Sequence, residues 1–287
     1  MDKDLLSIQQ ARDLAVAARE AQRQFLHASQ AEVDRICAAM VDAASAAAER
    51  LGRMAVEETG YGVPEHKTLK NIRAMPTVGV IRHDPQRKLY DIAWPMGVVA
   101  ALTPSTNPTS TTIFKVLIAV KARNGIVVAP HPSAARCSAE TARILAEAGE
   151  RAGMPPGLVS CMTEVSLPGT QELMRHKYVA LILATGGSEM VRAAHSVGKP
   201  AYGVGPGNVP VYVDRSADLR KAAKYIVASK AFDHSVICAT EQAVVADKPI
   251  AAQLEELMKA EGAYFVAPEE AAALGKLLFT PGPLINP

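Results

Sequence analysis

The chain has 287 residues, 49% of them hydrophobic and 21% charged, with a net charge of +2. That is an ordinary globular composition of roughly two domains; its scattered charges form no basic stripe for nucleic acid, and its longest apolar runs, such as residues 179–184, fall far short of the ~20 residues of a membrane helix. Cys37, Cys137, Cys161 and Cys238 lie far apart, with no CxxC pair and no metal-ligand spacing, and the acidic start Met1-Asp2-Lys3-Asp4 is not a secretory signal, so reduced thiols in a cytoplasmic protein without bound metal are expected.

Residues 4 to about 60 read as two or three helices, because Leu5, Ile8, Leu14, Val33, Ile36, Met40 and Leu51 recur at helical intervals. Gly60, Gly62 and Pro64 end this region. No chemistry is legible in it, and His66 and Lys67 read as solvated. Residues 88–94 turn strand-like, and Pro95-Met96-Gly97 makes a turn. Strands and helices then alternate. A buried strand at 98–102 leads into a polar loop at 103–108. A helix capped by Thr109 or Ser110 runs to 123, where Asn124-Gly125 ends it. A strand at 126–129 closes on Pro130-His131-Pro132, and a helix covers about 133–152. A strand at 158–162, a short helix at 170–176 and a strand at 179–183 follow. Thr185-Gly186-Gly187-Ser188 opens a helix to 197, and 201–204 and 209–213 are strands.

Such an alternation implies a parallel sheet covered on both faces. Ligands of such sheets sit at the carboxyl ends of the strands. The chemically varied loops 103–108, 130–133 and 185–188 each follow a strand and open a helix, where free N–H groups suit phosphates. A dinucleotide-binding domain is the inference, although the usual fingerprint is missing. Gly203-Val204-Gly205-Pro206-Gly207-Asn208 starts like G-x-G-x-x-G but ends on Asn208 and leads into a strand. It reads as a tight backbone crossing.

Further on, a helix-like run at 219–229 precedes Cys238, which sits on the short apolar lead-in Val236-Ile237. A strand-like run at 243–246 follows it. A cysteine at such a junction can be partly exposed, as a nucleophile must be. The thiolate is the reactive form, and a free thiol titrates near ~8.5 unless its surroundings lower that value. On these residues alone, the alternative is a small buried hydrophobe.

With these loops and Cys238 together, the chain resembles the aldehyde dehydrogenase superfamily. Within it, the chain is similar to the CoA-acylating branch: acetaldehyde dehydrogenases, the aldehyde half of bifunctional aldehyde–alcohol dehydrogenases, and sulfoacetaldehyde dehydrogenases. The matching stretches are residues 103–115, Pro130-His131-Pro132, Leu183-Ala184-Thr185-Gly186-Gly187, residues 203–208 and residues 229–242. They stand in the family's order within about residues 90 to 280.

The resemblance implies an α/β fold with a doubly wound, Rossmann-like parallel sheet. Residues 1–205 would hold the N-terminal helices and the dinucleotide-binding domain, and 206–287 the first part of a second, catalytic α/β domain. Cys238 would attack an aldehyde carbonyl to form a thiohemiacetal, and hydride transfer to the nicotinamide would leave a thioacyl enzyme. Asn107 and the Cys238 N–H would hold the oxyanion; the alternative for Asn107 is a cap on the next helix. NAD or NADP would lie against Thr103, Pro104, Ser105, Thr106, Thr185, Gly186, Gly187 and Gly205, with a helix-entry turn as the alternative for Gly186 and Gly187. His131 stands where many relatives place a lysine that holds the adenosine ribose, and reads equally as an exposed loop histidine. No carboxylate in residues 130–133 repels a 2′-phosphate, and Arg136 offers a cation for one. Cys238 is expected at the crevice mouth, within reach of Asn107.

Gly203 stands where hydrolytic relatives carry a glutamate that activates water. The acceptor thiol of CoA needs less help, because it is partly thiolate at neutral pH and strongly nucleophilic. His234, four residues before Cys238, reads either as a proton carrier or as a packed or solvated side chain. The implied partners are a small aldehyde and coenzyme A, with no nucleic acid and no membrane, in a homo-oligomer. Residues 281–287 read as a loop where relatives continue, so the chain reads as truncated within its catalytic domain. Two other readings are a hydrolytic aldehyde dehydrogenase making a free acid and an inactive, truncated nucleotide-binding subunit.

Overall fold

A computed structural model describes residues 2–73, 83–84, 86, 89–90 and 94–278. The strand expected at 88–94 lies partly outside these residues, and the loop expected at 281–287 wholly outside them. The chain divides into two compact units: Met1–Thr59 with Val63–Pro206, and Gly60–Gly62 with Gly207–Pro287.

The first unit opens with α1 (Lys3–Phe25), α2 (Gln30–Thr59) and α3 (Pro64–Arg73). Their buried residues recur at helical spacing: Ala11, Ala15 and Ala18 in α1, and Val33, Ile36, Met40 and Ala44 in α2. A short antiparallel pair follows, β1 (His83–Asp84) and β2 (Leu89–Tyr90). Then come β3 (Val98–Thr103), α4 (Pro108–Lys121), β4 (Gly125–Pro130), α5 (Ala135–Arg151), β5 (Val159–Cys161), α6 (Leu167–Arg175), β6 (Val179–Thr185), α7 (Ser188–His195) and β7 (Ala201–Val204). These five strands form one parallel sheet in the order β5-β4-β3-β6-β7. This is the doubly wound sheet expected from the sequence.

Side chains alternate across that sheet, as the two-residue period requires. Val99, Ala101, Ile126 and Val128 join the core under α2, α4 and α5. Val98, Ala100, Leu102, Val127 and Ala129 join the core under α1 and α6. Every residue of β3 and β4 is therefore buried, which is why both read as continuous apolar runs.

The structure shifts some boundaries. Asn107, not Thr109 or Ser110, occupies the N-cap position of α4, with Pro108 directly after it. Proline suits that place because its fixed φ matches the helix and its missing N–H would have no partner there. α4 ends at Lys121, and Arg123 makes the left-handed turn with φ 58°. The Asn124 side chain then accepts from the N–H groups of Met96 (2.6 Å) and Gly97 (3.0 Å), tying this turn to the entry of β3. α6 starts at Leu167, ahead of the expected 170, because Ser166 Oγ accepts from the Gly169 N–H at 3.2 Å.

The second unit holds β8 (Val209–Val213), α8 (Leu219–Ala231), β9 (Glu241–Ala246), α9 (Lys248–Ala260) and α10 (Pro268–Leu278). β8 and β9 pair in parallel, so a crossover must join them, and α8 supplies it. Val213, Ala223, Ile226 and Leu254 form its core. Asp218 caps α8 by accepting from the Lys221 N–H at 3.1 Å. Among the described residues, no helix is long and apolar enough to cross a membrane.

Candidate active site

In the first unit, strand register aligns Thr103 with Pro130, Leu102 with Ala184, and Thr185 with Val204. Loops 103–108, 130–133 and 185–188 therefore leave the sheet at one carboxyl edge, together with Gly205 after β7. The His131 N–H donates to the Thr103 carbonyl (3.0 Å) and the Gly186 N–H to the Val204 carbonyl (3.1 Å). β3 and β6 are the neighbours at which the winding reverses, the place where such sheets open a ligand crevice. Thr103 Oγ1 is buried there without a hydrogen-bond partner among the described residues, and an orphaned hydroxyl suits a polar ligand.

The helices at this edge differ as anion sites. The Glu58 carboxylate accepts from the N–H groups of Arg136 (2.7 Å) and Cys137 (2.5 Å). The start of α5 therefore already faces an anion. α7 has Gly187 at its N-cap and no side-chain cap, so its first-turn N–H groups remain free for one. A Cβ added at Gly187 would meet nothing within 4 Å. A dinucleotide pyrophosphate thus fits α7 and not α5. His131 is exposed and closes its own turn, its Nδ1 accepting from the Ser133 N–H at 3.2 Å. Loss of water on the protein side of the ring holds its imidazole below the usual value. Arg136 lines a groove of about 590 Å³ between α5 and the edge strand β5.

α3 brings two residues to loop 103–108 and a third to the first turn of α4. Lys67, Lys70 and Asn71 share one helical face. Lys67 Nζ donates to the Thr106 carbonyl. Lys70 Nζ donates to Asn107 Oδ1 at 2.6 Å. Asn71 Oδ1 accepts from the Thr109 hydroxyl at 2.7 Å, and its Nδ2 donates to the Ala48 carbonyl at 3.1 Å. The solvated reading of Lys67 is overturned: it is 1% exposed, because α3 packs between α2 and α4 and turns this face inward. Asn107 makes no side-chain cap bond to α4, and its Nδ2 donates to Thr106 Oγ1 at 3.2 Å. Their only trace in the sequence is the Lys67-x-x-Lys70-Asn71 spacing.

Lys115 of α4 reaches the same edge from within. Its Nζ donates to the carbonyls of Leu102 (2.6 Å) and Leu183 (2.8 Å), near the ends of β3 and β6. Two acceptors suit a neutral amine, and burial lowers its pKa from 10.5 to about 7. Between those two values the unfolded chain binds more protons at this group than the folded one. Stability should therefore rise with pH across that interval, by about 1 kcal/mol per pH unit. Denaturant melts at pH 7.5 and 9.5 check this, since Lys115→Met should lose the increment; an unchanged pH slope in the variant would contradict it.

In the second unit, Asp233, His234 and Ser235 all have positive φ, at 53°, 52° and 62°. Each such residue costs about 1 kcal/mol or more and persists only where its surroundings hold it. Here Asp233 is fully buried. The Val236 N–H donates to the Asp233 carbonyl (2.9 Å), and the Thr240 N–H and hydroxyl both donate to the Ile237 carbonyl (3.2 and 3.0 Å). The turn leaves Cys238 exposed between α8 and β9, so the buried-hydrophobe alternative does not describe it. His234 is exposed as well. A Cβ at Gly207 would collide with the Cys238 carbonyl oxygen, so the chain crosses here only as glycine.

The other thiols are sheltered. Cys137 is buried, and Cys37 and Cys161 are of intermediate exposure. Burial pushes the Cys37 thiol up to about 11 and the Cys161 thiol up to about 12. Burial and the neighbouring Glu58 carboxylate raise Cys137 as well. Iodoacetamide, which reacts with thiolates, should therefore label Cys238 first. Peptide mapping over time checks this, and equal rates at all four would contradict it.

Gly203 lies in β7 beside Ala184. A Cβ there would collide with Val191 Cγ1 and come within 2.9 Å of His195 Nε2. A side chain enters at this position only if those of Val191 and His195 give way. Residues 205–208 lead from β7 into β8 with no helix after them, unlike a dinucleotide fingerprint.

A parallel doubly wound sheet with a ligand crevice at its switch point defines the class. The sequence model of the aldehyde dehydrogenase family matches residues 5–266, and the chain belongs to that family. It is 50% identical over 235 residues to an aldehyde-alcohol dehydrogenase of Streptococcus pneumoniae, covering 78% of this chain and 27% of that protein. The crystal structure of an acetylating aldehyde dehydrogenase from Geobacillus thermoglucosidasius superposes with a TM-score of 0.91 at 50% identity, covering 99% of this chain and 65% of that one. A Rhodopseudomonas palustris propionaldehyde dehydrogenase with bound CoA and an acylated cysteine superposes with a TM-score of 0.86 at 31% identity, covering 96% and 65%. The chain thus spans about a quarter of the aldehyde-alcohol dehydrogenase and less than two thirds of these solved structures.

Proposed function

We propose that the chain belongs to an NAD(P)-dependent, CoA-acylating aldehyde dehydrogenase that converts an aldehyde, CoA and NAD(P)+ to acyl-CoA and NAD(P)H. The observation that carries this reading is the exposed Cys238 on its left-handed turn in a chain of this family. Residues 206–287 belong to its cysteine-bearing catalytic domain.

The Cys238 thiolate adds to the aldehyde carbonyl, forming the C–S bond and moving the π pair onto oxygen. The Asn107 Nδ2–H and the Cys238 N–H hold that oxyanion. A bound NAD(P)+ would supply the hydride acceptor; as the oxyanion's electron pair re-forms the C=O bond, the former carbonyl carbon gives up its hydride and Cys238 is left carrying a thioester. Thr103, Pro104, Ser105, Thr106 and Gly205 border its crevice. Thr185, Gly186 and Gly187 leave the start of α7 bare for its pyrophosphate, and His131 lies at the adenosine ribose. Arg136 offers a cation to a 2′-phosphate, so the cofactor is NAD or NADP. The thioester on Cys238 then passes to CoA as its thiol attacks and Cys238 leaves as thiolate. A relative with CoA and an acylated cysteine supports this route. A cytoplasmic homo-oligomer, as the resemblance implies, completes the proposal.

Gly203 favours thiolysis over hydrolysis, because it has no side chain to act as a base toward water. General-base help is worth about 100- to 10,000-fold. NADH release by the full-length protein should therefore stop after one burst per site without CoA and continue with it. Sustained release without CoA would identify the hydrolytic reading instead, and no release despite cofactor binding the idle subunit.

A further inference from the structure

We infer that Lys70 is a positioning residue that fixes and polarises the Asn107 amide for the oxyanion. This rests on the proposed role of Asn107. An ammonium group only donates hydrogen bonds, so the atom of Asn107 that faces Lys70 Nζ at 2.6 Å must be Oδ1. Rotating the amide by half a turn would set N–H against N–H, so the orientation is fixed. Nδ2 then points away from Lys70. One of its hydrogens goes to Thr106 Oγ1 at 3.2 Å, and the second has no acceptor among the described residues.

An asparagine at an N-cap usually spends its Oδ1 on the first-turn N–H groups. Asn107 does not. Its backbone carbonyl makes the ordinary first helical bond, accepting from the Thr111 N–H at 3.1 Å. The side chain, which caps nothing, is given to Lys70. That lysine is 8% exposed, so its charge is screened less than at the surface. A cation on Oδ1 draws density from the amide and strengthens Nδ2–H as a donor, since linked hydrogen bonds reinforce one another. One helical turn earlier, Lys67 holds the Thr106 carbonyl. Two successive loop residues are thus pinned by two amines from one face of α3. The pair Lys70–Asn107 is a donor aimed before substrate arrives, which is what oxyanion stabilisation requires.

The test uses the full-length enzyme with Lys70→Met, Lys70→Arg, Asn107→Ala and the Lys70→Met/Asn107→Ala double variant. Single-turnover acylation rates and NAD+ affinity are measured for each. Lys70→Met should slow acylation about 100-fold, the cost typical of a misplaced catalytic group, with NAD+ affinity unchanged. Lys70→Arg, which keeps a charged donor, should recover most of the rate. In the double variant the Lys70 change should add nothing to the Asn107 loss, because both act through one amide. If Lys70→Met does not fold, Lys70→Gln replaces it and should fall between Met and Arg. A near-normal rate in Lys70→Met beside a collapsed Asn107→Ala, or losses that multiply in the double variant, would overturn the inference about Lys70 alone. A near-normal Asn107→Ala would overturn the role of Asn107 itself, and the inference with it.

Discussion

Cys238→Ala is expected to abolish aldehyde-dependent NADH formation, by roughly 10,000-fold or more, the scale at which removing a covalent nucleophile acts. No neighbour can replace it: among the four cysteines only Cys238 is exposed, and burial raises the other three away from thiolate. NAD+ binding should survive, because the residues that fit the cofactor lie on the carboxyl edge of the first unit's sheet. Fluorescence titration with NADH, run beside the activity assay, separates the two effects. A variant that keeps activity would remove Cys238 from the mechanism, and one that loses both properties would point to misfolding of the turn.

Asn107→Ala has the second largest expected effect. Loss of one oxyanion donor costs about 100- to 1,000-fold in kcat. Because the reactant aldehyde carries no full charge on oxygen, the aldehyde KM should change far less than kcat. The variant also takes an acceptor from the buried Lys70, so a stability loss of about 1–3 kcal/mol should accompany it. Steady-state kinetics and a denaturant melt on the same preparation check both. A drop confined to stability would return Asn107 to a structural role in its loop.

What the sequence makes legible here follows from the physics of each segment. β3 and β4 stand out because helices bury both of their faces, so no polar residue interrupts the run. The three loops stand out because polar residues cluster between buried strands and helices. Lys67 and Lys70 are hidden for the opposite reason. A lysine reads as solvated, and only the packing of α3 against its neighbours turns these two inward. The start of α4 misleads because Thr109 and Ser110 are good caps, whereas Pro108 fixes the boundary one residue after Asn107. The turn before Cys238 carries no glycine to announce its left-handed residues. Its cysteine is found through the motif around it, not through local propensity.

The most direct test of the central proposal follows the acyl group. The full-length protein is mixed with aldehyde and NAD+ without CoA, quenched, digested and weighed by mass spectrometry. The expected result is an acyl group on the peptide that carries Cys238, persisting in buffer and transferred to CoA as a thioester when CoA is added. Free acid accumulating steadily without CoA, or an adduct on any cysteine other than Cys238, would contradict it.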